Sequence, residues 1–328
     1  MDREEIERRL RILIRQAWDS EIDWDTVGAW LQNFDGKVFD KEKEELLTLF
    51  SLTRFMYFSK RMMREMLRSL YRDQFRAPLI QRIRRNYGNT RDEVILKNLY
   101  RQELAATRFI GVGNPSESGA HLLYYFRQVN RLDKNLFIDI ADAMEPSIEH
   151  DRTGKASIKY VPKSVGVGRL VFFDDFVGSG DQASSYLSER VGTFRRDCQD
   201  IDLRYLCLFG TKAGMTRLNS SKLFNGNAAC MFEMDDTYKA FHDQSRVLAN
   251  SPSWFSRADF EQIARTYGRR LQPEIELGHS NGQYMIGFSH NTPDNTLPIF
   301  WDEGIRTTWK PVFIRFDKQY KDCGNWND

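Results

Sequence analysis

Leu170-Val171-Phe172-Phe173-Asp174-Asp175-Phe176-Val177-Gly178-Ser179-Gly180-Asp181-Gln182-Ala183 is the stretch on which the fold turns. Its opening apolar run, Leu170 to Phe173, reads as a buried strand. The carboxylates of Asp174 and Asp175 follow at the strand's C-terminal end, and a Gly-Ser-Gly turn then opens a helix. Open α/β sheets bind ligands at the carboxyl ends of their strands, so the acidic pair stands where a site belongs. Gly178 and Gly180 let the backbone turn sharply and approach a ligand closely. Successive N–H groups at the helix start form a cradle for phosphate. Two carboxylates beside that cradle suit the vicinal hydroxyls of a sugar or a hydrated Mg²⁺.

Working outward, Phe109-Ile110-Gly111-Val112-Gly113-Asn114-Pro115-Ser116-Glu117-Ser118-Gly119-Ala120 is a second strand–loop–helix unit, one crossover upstream. A helix is expected over Ala120 to Val129, and strands over Leu136 to Ile140 and Leu203 to Phe209. Phe224 to Glu233 stays ambiguous, and Ser256 caps a helix that runs to Arg269. Before residue 100 the pattern is helical. Ile6, Leu10, Leu13, Ile14 and Trp18 share one helix face, Asp25 to Leu31 forms a short helix, and Lys41 to Phe75 reads as one long helix ending before Pro78. The fold class is therefore α/β, a mostly parallel sheet flanked by helices with a helical N-terminal extension. Residues 1–100 are the extension packed on the core, and 101–328 the α/β domain.

Composition narrows the function classes. With 41% hydrophobic, 29% charged and 13% aromatic residues over 328 positions, the chain can fill a large core and is neither disordered nor fibrous. Lys and Arg number 48 against 46 Asp and Glu, so any polyanion-binding surface must be local. Cys198, Cys207, Cys230 and Cys323 form no CxxC pair, and the five histidines show no metal spacing. Scattered cysteines, a charged start without an apolar leader and the lack of a long apolar run point to a cytoplasmic protein away from membranes.

The strand, acidic pair, small turn and helix resemble the phosphoribosyl-diphosphate (PRPP) motif of the type I phosphoribosyltransferases. That resemblance implies a type I phosphoribosyltransferase-like fold. It gives Asp174 and Asp175 the ribose hydroxyls and the Mg²⁺ side, and Val177, Gly178, Ser179, Gly180, Asp181 and Gln182 the sugar phosphate. The upstream loop, with Gly111, Val112, Gly113, Asn114, Ser116 and Ser118, falls where the family binds pyrophosphate. His150 to Gly168, with Lys155, Lys159 and Lys163, falls where family members carry a hood over the site. This chain departs from the pattern in several places. Phe176 is bulkier than the usual aliphatic residue, and Gln182 replaces a small hydroxyl residue. Gly178 stands where purine-salvage members have a catalytic Asp, and acidic Asp181 borders the expected anion. His290 to Trp301, followed by Trp309 to Phe313, is similar to the ending of a divergent bacterial group, the phosphoribosyltransferase-like effectors of retron and other anti-phage loci. The likeness spans about residues 40 to 317.

Three activities remain open. The first is transfer or cleavage at the anomeric carbon of PRPP or a related ribose phosphate. Another is a sensor that binds a ribose phosphate or nucleotide without turnover. The third is a toxin-like subunit held in a nucleic-acid-containing defence complex. A methyltransferase is a weaker alternative: Asp174 to Gly180 approaches Asp-Pro-Phe-x-Gly-Ser-Gly, but Asp175 replaces the proline and no Asn/Asp-Pro-Pro-aromatic motif occurs. The His290 to Trp301 segment also reads as turns with an apolar plug. Residues 60–85 hold nine basic residues against two acidic ones. Arg61, Arg64, Arg68, Arg72 and Arg76 follow helical spacing, the pattern of either a solvated face or a contact for nucleic acid or an acidic protein.

Overall fold

The computed structural model describes residues 2–113, 118–150, 153–220, 222–304 and 308–316. Its helices are α1 (Arg3–Gln16), α2 (Trp24–Leu31), α3 (Lys41–Leu52), α4 (Lys60–Leu70), α5 (Ala77–Asn86), α6 (Glu93–Ala105), α7 (Ser118–Asn130), α8 (Asp181–Asp197), α9 (Lys212–Leu218) and α10 (Arg257–Leu271). The strands are β1 (Met56–Phe58), β2 (Thr107–Gly111), β3 (Met144–His150), β4 (Ala156–Pro162), β5 (Arg169–Val177), β6 (Asp202–Thr211), β7 (Ala228–Met234) and β8 (Ile286–Phe288). Among the described residues no helix is long and apolar enough to cross a membrane.

Contacts divide the chain into two units that do not follow the expected division at residue 100. One joins residues 1–63 to 236–328, and the other is 64–235. The first is discontinuous because its core is shared between the chain's two ends. Trp30 stacks on Phe300 with ring centroids 5.5 Å apart, and its indole N–H donates to the Ile299 carbonyl at 2.6 Å. Ile299, Phe300 and Trp301 are buried, so the apolar-plug reading of that segment describes their packing. Glu44, fully buried, accepts from the backbone N–H groups of Gly36, Val38 and Phe39 and from the Tyr267 hydroxyl. Those donors meet the desolvation cost of its carboxylate.

The expected long helix from Lys41 to Phe75 is broken. It stops at Leu52, gives way to β1, and resumes at Lys60. Phe55-Met56-Tyr57-Phe58 is rich in residues that fit a pleated surface, and β1 pairs in parallel with β8, Tyr57 opposite Gly287. Beyond Leu70 the chain makes a π-helical turn over Tyr71–Arg76 before α5.

The second unit is built on a four-stranded sheet in the order β2-β5-β6-β7, with every pairing parallel. β5 is an inner strand whose side chains alternate between helical layers. Phe173 packs on Phe126 of α7 at 5.1 Å, and Phe172 on Phe194 of α8 at 6.4 Å. At the opposite end from the acidic pair, buried Arg169 binds Asp202, Glu103 and Thr107, which keeps its charge paired.

One further expectation changes. Leu136 to Ile140 is no strand but a connection between two 3₁₀ turns, which meets the sheet's backbone at an isolated bridge from Phe137 to Phe109. Asp133 and Asp139 account for this, because their side chains accept from the N–H groups of Asn135 and Ala141 and turn the backbone away. Residues 150–168, the expected hood region, carry part of an antiparallel hairpin of β3 and β4, with Ile148 opposite Ile158. The ambiguous Phe224 to Glu233 segment supplies most of β7, one of the sheet's two edge strands.

Candidate functional site

Asp174 and Asp175 lie within β5, three and two residues before its end at Val177, on an inner strand of the sheet. Gly180 follows in the left-handed conformation (φ +74°, ψ 1°) and caps α8, which begins at Asp181. A side chain at Gly180 would be excluded twice, by that φ and by Gly214, whose carbonyl oxygen lies 3.2 Å from where a Cβ would stand. The loop Val177–Gln182 thus turns tightly at the carboxyl edge of the sheet, with Gly178 and Ser179 half-buried.

The two carboxylates are not open to solvent in the same way. Asp175 is buried, at 8% exposure, and its Oδ1 accepts from the Phe176 N–H at 2.8 Å. Asp174 accepts the Asp175 N–H at 2.9 Å on Oδ1 and the Tyr205 hydroxyl at 2.9 Å on Oδ2. Enclosure of its carboxyl, then the charge of Asp175 beside it, push its proton affinity well above the usual aspartate range. Tyr205 is fully buried, and burial together with the Asp174 charge drives its phenol well above the ordinary tyrosine value. Two carboxylates side by side on one strand end favour a neutralising cation or hydrogen-bond donors.

The upstream loop lies alongside. The Val112 N–H donates to the Phe173 carbonyl at 2.9 Å, which continues the β2–β5 ladder past Gly111. Gly113 turns at φ +98°, and the Tyr186 hydroxyl of α8 donates to its carbonyl at 3.0 Å. Gly119 in the first turn of α7 leaves no room for a side chain, since its Cβ would fall 2.6 Å from the Val112 oxygen. Gly111, Val112 and Gly113 are thus brought beside β5 and α8, the elements that flank the Val177–Gly180 loop. Asn114 and Ser116 lie outside the described residues, as do the side chains of Ser118 and Gln182.

Sequence reasoning missed three contributors. One is Tyr205, on β6 beneath Asp174. The others are Thr211 and Gly214, at the β6–α9 turn. Thr211 Oγ1 donates to the Gly178 carbonyl at 2.6 Å and accepts from the Gly214 N–H at 3.0 Å, while Gly214 packs so closely that a Cβ would stand 2.4 Å from the Gly178 oxygen. The signal was present: Phe209-Gly210-Thr211-Lys212-Ala213-Gly214 has the same strand-then-small-residue grammar as the two units already read. The acidic Asp181 is paired with Arg217 of α9.

Among the described residues no group of three His, Cys, Asp or Glu is arranged to hold a metal. The two adjacent carboxylates nonetheless fit a hard divalent cation that takes its remaining ligands from water and substrate. The basic stripe is exposed, but each arginine has a partner within the chain. Arg61 pairs with Asp19 at 3.0 Å, Arg72 with Asp73 at 2.7 Å, and Arg68 with Glu65. Arg64 and Arg76 stand over the rings of Tyr125 and Tyr100. The π-helical turn from Tyr71 changes the residue spacing expected for Arg72 and Arg76.

A family model described as PRTase-CE matches residues 27–315. No curated protein matches the chain. Among solved structures, the xanthine-guanine-hypoxanthine phosphoribosyltransferase of Helicobacter pylori shares 11% identity over 63% of this chain and 97% of its own, with a TM-score of 0.28. The AQ2163 protein from Aquifex aeolicus shares 10% identity over 72% of this chain and 86% of its own, also with a TM-score of 0.28.

Proposed function

The chain belongs to the PRTase-CE family of phosphoribosyltransferase-like conflict-system effectors, and from that premise we propose that it binds PRPP or a related ribose phosphate with Mg²⁺ and transfers or cleaves at the anomeric carbon in bacterial anti-phage defence. The observation that carries this reading is the placement of Asp174 and Asp175 at the carboxyl end of an inner parallel strand, followed by a glycine loop and a helix start. Asp174 and Asp175 accept the ribose hydroxyls and hold the cation, which when bound neutralises their charge and that of a diphosphate. The backbone of Val177–Gln182 receives the sugar phosphate, and Gly111–Gly113 receives the leaving diphosphate. Tyr205 orients the Asp174 carboxyl from below. With no titratable side chain at Gly178, the loop supplies no general base there, so the chain contributes positioning and electrostatic support to an oxocarbenium-like displacement.

The same lack of a base at Gly178 favours a second reading, a sensor that binds the ribose phosphate without turnover. Exposed Arg61, Arg64, Arg68, Arg72 and Arg76 form the contact for a nucleic-acid-containing or acidic partner of the effector.

The test is incubation with Mg²⁺ and PRPP, following PRPP loss and pyrophosphate release beside calorimetric binding. Turnover supports the enzyme, and binding without turnover supports the sensor. Asp175→Asn is expected to abolish ligand binding and defence while keeping a cooperative thermal melt. A folded Asp175→Asn protein with full binding would remove the acidic pair from the site.

A further inference from the structure

Acidic Asp181 stands at the start of α8, where the ribose-phosphate reading places an anion, and α9 supplies its counter-charge. Arg217 pairs with Asp181, and the arginine stem lies over the loop itself, with its Cδ 3.5 Å from where a Cβ on Gly180 would stand. This placement is enforced. Thr211 bonds the Gly178 carbonyl at 2.6 Å, Gly214 fits against the same oxygen only because it lacks a side chain, and Arg217 follows Gly214 in the short α9. Both members of the pair remain exposed, Arg217 at 47% and Asp181 at 59% of their side-chain surface. An ion pair so wetted is weak and exchanges partners readily.

We infer that Arg217 is a binding residue for the phosphoryl group of the ligand, and that Asp181 holds it over the loop until the ligand arrives. The inference rests on the ribose-phosphate reading and deepens it. A guanidinium presents a planar fork of N–H donors that matches phosphate oxygens in a bidentate pair, and such pairs are stronger than single neutral hydrogen bonds. The Asp181 carboxylate is itself favoured at the first turn of a helix, where the backbone dipoles favour negative charge. An incoming phosphate therefore meets Asp181 as a competitor twice, for the helix start and for Arg217. The acidic residue that is out of place in a phosphate loop becomes intelligible as a stand-in for the ligand's own anion. Asp181 lowers affinity, and Arg217 raises it.

Calorimetric titration of the full chain with ribose 5-phosphate, with ribose as the phosphate-free control, tests this. Arg217→Ala is expected to weaken ribose 5-phosphate binding about tenfold, and Arg217→Lys to recover only part of the loss. Asp181→Asn is expected to tighten ribose 5-phosphate binding several-fold, with the response to ribose unchanged in every variant. Thermal melts of each variant confirm that the fold is intact. Were Arg217→Ala to misfold, Asp181→Asn would still decide the matter, because the inference requires a gain. Wild-type affinity in a folded Arg217→Ala protein, or weaker binding in Asp181→Asn, overturns the role of the pair while leaving the site. A wild-type chain that binds neither ribose 5-phosphate nor PRPP overturns the ribose-phosphate reading and this inference with it.

Discussion

Asp174 is the residue where burial, charge and function meet. Half-buried, its carboxyl stands beside Asp175 and takes one hydrogen bond from Tyr205. A carboxyl whose folded proton affinity exceeds its unfolded one binds more protons in the native state. Its contribution to stability therefore falls as pH rises, starting from the ordinary aspartate range and continuing up to the raised folded value. Asp174→Asn removes this dependence while keeping an oxygen acceptor for Tyr205. The expected outcome is a melting temperature that gains on the wild type progressively as pH rises from acid to neutral. Melts across that range check it, and parallel curves for the two proteins would show that Asp174 is not strained by its surroundings. The Tyr205 hydroxyl was unreadable in advance because nothing in a strand's sequence tells which neighbouring strand its polar atom will reach.

The β5–α8 loop is one of three turns at the carboxyl edge of the sheet, and it packs closely against the β6–α9 turn. Gly214 is the sensitive point of that contact, since a methyl group there would sit 2.4 Å from the Gly178 oxygen and 2.8 Å from Val177 Cγ1. Gly214→Ala is expected to cost about 1–3 kcal/mol of stability through overpacking. It should also shift the loop backbone enough to weaken ribose 5-phosphate binding. Denaturant unfolding and titration together check both, and a neutral result in each would mean that the turns are not coupled. The exposed arginines of α4 and of the π-helical turn after it provide a separate test. Replacing Arg64, Arg68 and Arg72 with Gln should weaken nucleic-acid binding and flatten its dependence on salt, because each neutralised phosphate releases condensed counterions. PRPP binding should stay as in the wild type. Filter-binding or anisotropy measurements over a salt series read this directly, and an unchanged slope would return the stripe to solvent.

For the molecule as a whole, the decisive feature is that its two ends build one unit. β1 pairs with β8, and Trp30 packs on Phe300 and bonds the Ile299 carbonyl, so residues 1–63 complete the core around 236–316. Removing them exposes Phe300, Phe313 and Trp309, all buried in the intact chain. A chain of residues 64–328 is therefore expected to aggregate or to lose a cooperative melt in that part. Calorimetry and size-exclusion chromatography check this. A cooperative, monodisperse 64–328 protein would show that the N-terminal helices are an accessory rather than half of a core.

What the sequence determined by itself was whatever depends on neighbours along the chain. The apolar run into Asp174-Asp175, the Gly-Ser-Gly turn and the helix after it are local, and so are the capping of α10 by Ser256 and the helix from Ser118 to Asn130. Strand alternation with helices then implied a parallel sheet, because such crossovers leave few other arrangements. Tertiary structure alone decided the break of the Lys41–Phe75 helix. Residues 55–58 can extend or coil, and only an unpaired strand more than 220 positions away supplies the hydrogen bonds that favour extension. It also decided the unit boundary, the approach of Tyr205 to Asp174, and the pairing of Arg217 with Asp181. Each joins residues whose separation carries no periodic signal, so their meeting is fixed by packing rather than by pattern.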